Sequence, residues 1–163
     1  MRSTAWLDVI RSISTAAGYC GMIQGQMLDI SSEGKSLSLD QLESMHTLKT
    51  GALIEASLRC GAIIGGASRD QILSLDEYAE NIGLAFQVAD DILNVEGDPK
   101  IMGKAAGTDK LRHKSTYPSI LGLAESKSLA KKLVNNALQA IKDFDKRSEP
   151  LLAIAAYVIE RQH

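Results

Sequence analysis

The sequence contains few cysteine, proline and aromatic residues and no long apolar run, which argues against several classes of protein. It contains two cysteines, three prolines and 4% aromatic residues. Cys20 and Cys60 have no metal-ligand spacing, so we interpret them as free thiols in a reducing compartment. The scarcity of aromatic residues and proline favours helices over a β-sandwich or barrel. No apolar run approaches the ~20 residues that span a bilayer. Asp8 lies inside the apolar part that a signal peptide at the N-terminus would need.

What is present fits one compact helical domain. The chain has 163 residues, of which 45% are hydrophobic and 23% charged. A chain of this length buries roughly two-thirds of its unfolded surface when it folds. We therefore expect a single all-α domain over residues 1–163, located in the cytoplasm.

The net charge of −2 conceals a segregation of charge along the chain. Residues 61–97 contain one basic and seven acidic residues, whereas residues 98–117 contain five basic and two acidic residues. Two adjoining solvated faces would explain this pattern. Such faces are common, and a metal site beside an anion site is the more specific interpretation.

Helical periodicity and capping signals predict five main helices and no strand. They are expected at about residues 4–31, 40–66, 74–96 and 125–146 and from Pro150 onward, with a short helix at 119–123. Ser74 and Glu77 form the pattern of a capping box at the start of the third helix. Three glycines on one face of the first helix, Gly18, Gly21 and Gly25, favour a close approach by a neighbouring helix.

Residues 98–117 form the longest predicted connection. Loops of more than about a dozen residues in compact domains are usually functional or disordered. The sequence alone leaves both possibilities open here. The loop is rich in basic residues: Lys100, Lys104, Lys110, Arg112 and Lys114.

The third predicted helix carries a polar stripe on an otherwise apolar surface. Gln87, Asp90, Asp91 and Asn94 fall within an arc of roughly 100°. Adjacent carboxylates suit Mg²⁺, which binds one or two carboxylates together with waters and substrate phosphates. A mostly buried helix with a narrow solvent-facing stripe is the simpler explanation of the pattern alone.

Lys49 lies on the apolar side of the second predicted helix, within about 20° of Leu42 and Ala56. A lysine in this position must extend to the solvent, pair with an acid or bind an anion. Extension to the solvent is the commonest of these.

Taken together, five segments resemble the C-terminal half of the trans-prenyl diphosphate synthases, especially the short-chain bacterial farnesyl/geranyl diphosphate synthases. They match in order and at family-like spacing over nearly the whole chain. The segments are Gly21-Met22…Gly25-Gln26…Asp29, His46-x-x-Lys49-Thr50-Gly51-Ala52-Leu53-Ile54, Phe86-Gln87-x-x-Asp90-Asp91-Ile92-Leu93, Gly103-Lys104-x-x-Gly107-x-Asp109 and Lys114-Ser115-Thr116-Tyr117-Pro118.

The resemblance implies the all-α isoprenoid synthase fold, with helices around a central cavity. It also implies Mg²⁺-dependent head-to-tail condensation of isopentenyl diphosphate with an allylic diphosphate, and a homodimer for the full-length protein. By position, Asp90 and Asp91 would bind Mg²⁺. Lys49, Lys104 and Lys114 would bind the allylic diphosphate, with loop 98–117 as its phosphate-binding loop. Thr50 and Gln87 would lie near the reacting carbons, so that Lys49, Thr50 and Gln87 form the expected catalytic group.

The sequence departs from the family pattern in two ways. Asn94 stands where the second Asp-rich motif usually ends in Asp, which removes a charge from the metal site. The first Asp-rich motif and the isopentenyl-binding residues are absent, so we expect a fragment that does not catalyse condensation alone.

Three alternatives remain open. A non-catalytic partner subunit derived from such a synthase would be expected to lose its ligand-binding groups, which this chain retains. A terpene cyclase would show an Asn-Asp-x-x-Ser-x-x-x-Glu motif, which Asp90 to Asp98 does not fit. A helical bundle without a ligand would bind neither Mg²⁺ nor an allylic diphosphate analogue.

Overall fold

The computed structural model describes residues 3–96 and 114–161. All the regular structure in these two ranges is helical, which confirms the predicted all-α class. The elements are α1 (Ser3–Ala17), α2 (Met22–Ser31), α3 (Leu39–His46), a π-helix (Thr47–Gly51), α4 (Ala52–Gly65), α5 (Arg69–Glu96), α6 (Tyr117–Leu121), α7 (Leu123–Ala140), a 3₁₀ helix (Lys146–Ser148) and α8 (Glu149–Glu160).

The long helix α5 lies at the centre of the described core. It packs against α7, α4, α8 and the π-helix. Its residues Tyr78, Ala85 and Val88 are buried, and the Tyr78 hydroxyl donates a 2.7 Å hydrogen bond to the carbonyl of Leu151 in α8. Burial raises the pKa of Tyr78 to about 12. These contacts hold α5 in place and therefore fix the position of the polar stripe near its C-terminal end.

The first predicted helix is in fact two helices, so the expectation of one helix over residues 4–31 was wrong. The chain turns between α1 and α2, where the Gly21 N–H donates to the Gly18 carbonyl at 3.1 Å. A Cβ added at Gly21 would lie 2.2 Å from the Ala16 carbonyl oxygen. This turn thus requires glycine, whereas the sequence pattern had suggested a packing role.

Other helix boundaries also shift. Helix α5 begins at Arg69, because Ser68 and Gln71 form reciprocal capping hydrogen bonds of 2.9 and 3.2 Å. The Ser74 capping pattern therefore lies inside the helix. Helix α6 begins at Tyr117 behind a capping box between Thr116 and Ser119, and α7 ends at Ala140 instead of residue 146. The expected start of the last helix at Pro150 is close to the observed start of α8.

Helix α1 packs on α4 through a narrow buried face that includes Val9 and Ala16. Four large apolar side chains of α1 are exposed instead: Trp6, Leu7, Ile10 and Ile13. Within residues 3–96 and 114–161, no helix combines the length and the apolar character needed to cross a membrane.

Candidate functional site

A cleft of about 510 Å³ lies where the ends of α2 and α5 meet the π-helix and the segment that leads into α6. Leu37 and Met45 contribute apolar surface to its lining. The lining also includes ionisable and amide side chains from five separate parts of the chain: Asp29, His46, Lys49, Gln87, Asp90, Asp91, Asn94 and Lys114. This cleft therefore gathers most of the residues that the sequence singled out.

Asp29 joins two of the predicted phosphate-binding lysines. Lys49 donates a 2.6 Å hydrogen bond to Oδ2 of Asp29. Lys114 donates to Oδ1 at 2.9 Å and to Oδ2 at 3.1 Å. The Asp29 side chain is only 10% exposed, whereas those of Lys49 and Lys114 are 31% and 21% exposed. The two ammonium groups thus share one buried carboxylate while both remain accessible from the cleft.

The charge of Asp29 is stabilised by these contacts. Burial alone raises the pKa of a carboxyl group. Here the hydrogen bonds and charges of Lys49 and Lys114 outweigh burial, so the pKa of Asp29 lies below its ordinary value. A second carboxylate, that of the more exposed Glu33, lies 3.8 Å from the Lys114 ammonium group. The two positive charges of the lysines are therefore matched in number by the carboxylates of Asp29 and Glu33, of which only that of Asp29 is buried.

Backbone geometry brings Lys49 to Asp29. Lys49 lies in the middle of the π-helix, a form that occurs mostly as single turns and often at functional sites. Helix α2 passes so close that a Cβ at Gly25 would lie 2.2 Å from the Lys49 nitrogen. Asp29, one turn beyond Gly25, then lies within hydrogen-bonding distance of the Lys49 ammonium group. Gly25 thus has the packing role that the sequence predicted for it.

His46, which lines the cleft, packs against the buried Tyr117. Their rings lie 5.5 Å apart, and both residues are nearly inaccessible to solvent. Burial and the neighbouring Lys49 charge lower the pKa of His46 to about 4, so its imidazole is neutral at pH 7. Among the described residues, His46 Nδ1 and the Tyr117 hydroxyl have no hydrogen-bond partner.

The adjacent carboxylates of α5 are held by different neighbours. Asp90 forms an ion pair with Arg161 through Oδ1 and accepts a 3.2 Å hydrogen bond from Gln87 Nε2 through Oδ2. Asp91 Oδ2 accepts the Tyr117 backbone N–H at 2.9 Å, which ties α5 to the start of α6. In residues 3–96 and 114–161, no group of three or more His, Cys, Asp or Glu side chains is placed to hold a metal ion. Any metal bound here would take at most two carboxylates from the described residues.

Five of the predicted site residues line the cleft together: Lys49, Gln87, Asp90, Asp91 and Lys114. Thr50 is half-buried in the π-helix beside Lys49 and is not part of the lining. Lys104, with most of loop 98–117, lies outside the described residues. Sequence reasoning gave no role to Asp29 or Arg161. For Asp29, the signal was its place at the end of the segment Gly21-Met22…Gly25-Gln26…Asp29, which resembles the family but carried no assigned role for this residue.

These features define a helical protein whose cleft combines paired ammonium groups with two adjacent carboxylates. Comparisons with known proteins identify the family to which this helical protein belongs. The family model described as polyprenyl synthetase matches residues 2–155. Farnesyl diphosphate synthase of Escherichia coli is 45% identical over 159 residues, which are 95% of this chain and 53% of that protein.

Solved structures agree with this match. An FPP/GFPP synthase from Zymomonas mobilis superimposes with a TM-score of 0.81 at 33% identity, over 96% of this chain and 52% of that one. A geranyltransferase from Helicobacter pylori, solved with magnesium and isoprenyl diphosphate, gives a TM-score of 0.78 at 31% identity. This match covers 98% of the present chain and 52% of the geranyltransferase chain. The chain belongs to the polyprenyl synthetase family. It spans about half the length of these relatives.

Proposed function

We propose that this chain provides the allylic-diphosphate side of a prenyltransferase site. The reaction is the Mg²⁺-dependent head-to-tail condensation of isopentenyl diphosphate with an allylic diphosphate. One observation carries the proposal: Lys49 and Lys114, 65 positions apart in sequence, meet at Asp29 in the cleft that also contains Asp90 and Asp91. Family membership supplies the reaction class, and the cleft supplies groups that suit its anionic substrate.

The lysines account for binding of the diphosphate. An ammonium group has three N–H donors and no acceptor, so each lysine retains donors for phosphate oxygens after binding Asp29. Hydrogen bonds between charged partners are about twice as strong as neutral ones. Fixed positive groups also stabilise the negative charge that develops on a departing diphosphate. Lys104 is assigned the same role by resemblance.

Asp90 and Asp91 are the proposed Mg²⁺ ligands. Their oxygens are the hard ligands that Mg²⁺ prefers, and two carboxylates with waters and substrate phosphates complete a common Mg²⁺ site. The donor set therefore fits the ion, with Asn94 as a neutral neighbour. When bound, Mg²⁺ supplies positive charge to the diphosphate. The Helicobacter pylori relative was solved with magnesium and isoprenyl diphosphate, which supports a magnesium-dependent diphosphate site in this family.

Gln87 and Thr50 are assigned to the reacting carbons. Gln87 lines the cleft, and its Nε2 is oriented by Asp90. This contact orients the other end of the amide, its carbonyl oxygen, whose partial negative charge suits a developing carbocation. Thr50 is placed beside Lys49 in the π-helix and receives its role by resemblance alone.

We propose further that this chain does not catalyse the condensation alone. Asp90-Asp91 is the only Asp-Asp pair in the sequence, whereas the reaction of the family uses two Asp-rich motifs. The chain also lacks the residues that the family uses for isopentenyl diphosphate.

Titration calorimetry with dimethylallyl thiodiphosphate, a slowly reacting allylic analogue, tests the binding proposal. Binding should require Mg²⁺. Lys49→Ala and Asp90→Ala should each weaken it by about 10-fold or more, the cost of about one charge-assisted hydrogen bond. Lys131→Ala removes the same charge from an exposed position on α7 and should leave the affinity unchanged. Equal losses in all three variants would refute a specific site.

A separate assay addresses turnover. The purified chain is incubated with Mg²⁺, radiolabelled isopentenyl diphosphate and dimethylallyl diphosphate, and extended products are extracted. We expect analogue binding without product. Product formation above a no-protein control would disprove inactivity of the isolated chain, whereas loss of analogue binding would disprove the proposed site.

A further inference from the structure

We propose that Asp29 is a positioning residue that holds Lys49 and Lys114 together as one diphosphate-binding pair. The inference rests on the proposed function, since that function assigns both lysines to diphosphate. Sequence reasoning alone assigned no role to Asp29.

The geometry of the three side chains supports this role. The arrangement in which Asp29 binds both Lys49 and Lys114 is called the clamp below. Oδ2 of Asp29 accepts from both ammonium groups, at 2.6 Å from Lys49 and 3.1 Å from Lys114. Two cations so close together repel each other, and a carboxylate between them offsets that repulsion. Because Asp29 is buried, its carboxylate is a fixed point that both lysines reach from different elements.

The clamp has a rigid base. Close packing of Gly25 on the Lys49 backbone leaves little freedom for α2 to move relative to the π-helix. The lowered pKa of Asp29 is consistent with a carboxylate that stays ionised at neutral pH. Lysine side chains lose rotamer entropy when they are ordered. Asp29 would meet that cost before the diphosphate arrives.

A positioning role for Asp29 predicts the opposite effect on anion binding from the one that loss of its negative charge alone would have. Removing a negative charge beside an anion site should strengthen anion binding by simple electrostatics. If Asp29 positions the lysines, Asp29→Asn should weaken binding despite the gain in net positive charge. Glu33→Gln is the matched control, because Glu33 also lies near Lys114 but is 50% exposed and 3.8 Å away.

The test is the affinity of each folded variant for inorganic pyrophosphate, measured by calorimetry at fixed ionic strength. We expect the Kd of Asp29→Asn to rise at least fivefold, while that of Glu33→Gln stays equal or falls. Asp29→Glu keeps the charge but moves it by one methylene, and should also weaken binding. In an Asp29→Asn background, Lys49→Ala should cost less than it does in the wild type. Equal or tighter binding by folded Asp29→Asn, or unchanged binding by Asp29→Glu, would overturn the proposal.

A measurement on the wild-type chain does not depend on the folding of any variant. Pyrophosphate is titrated while the side-chain NMR signals of Lys49, Lys114 and Asp29 are followed. All three signals should shift with one common midpoint. Separate midpoints for the two lysines, or an Asp29 signal that does not respond, would overturn the clamp. If wild-type protein bound neither pyrophosphate nor the allylic analogue, the proposed function would fail and the clamp with it. Wild-type binding that is weakened by Lys49→Ala but not by Asp29→Asn would remove the clamp alone.

Discussion

Arg161, the residue after α8, forms an ion pair with Asp90, the first of the two adjacent carboxylates of α5. Its guanidinium also donates a 3.0 Å hydrogen bond to the Phe86 carbonyl and lies 4.0 Å from the centre of the Phe86 ring. The Arg161 side chain is only 9% exposed. A protein cation therefore occupies one oxygen of a proposed Mg²⁺ ligand.

Arg161→Gln should therefore tighten divalent-cation binding. The substitution removes a positive charge and leaves Asp90 free to coordinate, so we expect an affinity gain of roughly 3–10-fold, or about 1 kcal/mol. Mn²⁺ binding followed by electron paramagnetic resonance measures this without any turnover. Arg147→Gln breaks an exposed ion pair with Asp145 and serves as the control, with no change expected. Weaker Mn²⁺ binding in folded Arg161→Gln would show that Arg161 supports the site instead of competing for it.

Gly25→Ala should destabilise the fold strongly. The new Cβ would lie 2.2 to 2.7 Å from three atoms of Lys49, two of them backbone atoms that cannot rotate away. Overpacking of this kind typically costs about 1–3 kcal/mol, and we expect the upper end of that range. The free energy of unfolding from urea denaturation is the measurement.

Gly61→Ala is the control for Gly25→Ala. Gly61 is exposed within α4, and a Cβ there would meet no atom within 4 Å. Alanine in an open helical position should raise the free energy of unfolding by roughly 0.5–1 kcal/mol. Similar effects of the two substitutions would show that helix propensity, and not the contact with Lys49, governs position 25.

His46 should make the fold less stable in mild acid. Its pKa is about 4 in the folded chain against 6.5 in the unfolded chain. Between these values the unfolded chain binds a proton that the folded chain does not, so the free energy of unfolding falls as the pH is lowered. The full effect approaches about 3 kcal/mol near pH 4, from about 1.4 kcal/mol for each pKa unit.

Replacement of His46 by Gln isolates this contribution. Urea unfolding of both proteins at pH 7 and at pH 4.5 gives four free energies, and the wild type should lose about 2 kcal/mol more than His46→Gln. Groups such as Asp29 titrate in both proteins and cancel in the comparison. Parallel losses would mean that His46 takes up a proton readily in the folded state.

The sequence predicted the fold best where local signals were unambiguous. The helical stretch from about residue 40 to Gly66 is observed, and Gly66 ends it with φ of 72°. The start of α5 was misplaced because the chain has two capping patterns, Ser68 with Gln71 and Ser74 with Glu77, and the earlier one forms. The π-helix at Thr47–Gly51 was not predicted from the sequence.

The site was predicted only in part, for a different reason. Gln87, Asp90 and Asp91 lie close together in sequence, so helical geometry alone indicated their stripe. Asp29 and Lys114 are 85 positions apart, and only the folded chain brings them together. Lys49 had no evident reason to lie on an apolar face, because the sequence did not indicate an acidic partner for it. Asp29 supplies that partner.

The most direct test of the account is a crystal structure of the chain with Mg²⁺ and dimethylallyl thiodiphosphate. We predict the diphosphate in the cleft, within hydrogen-bonding distance of the ammonium groups of Lys49 and Lys114, with Mg²⁺ on Asp90 or Asp91. A ligand that is ordered elsewhere, or that lies in the cleft without contacting either lysine, would contradict the account.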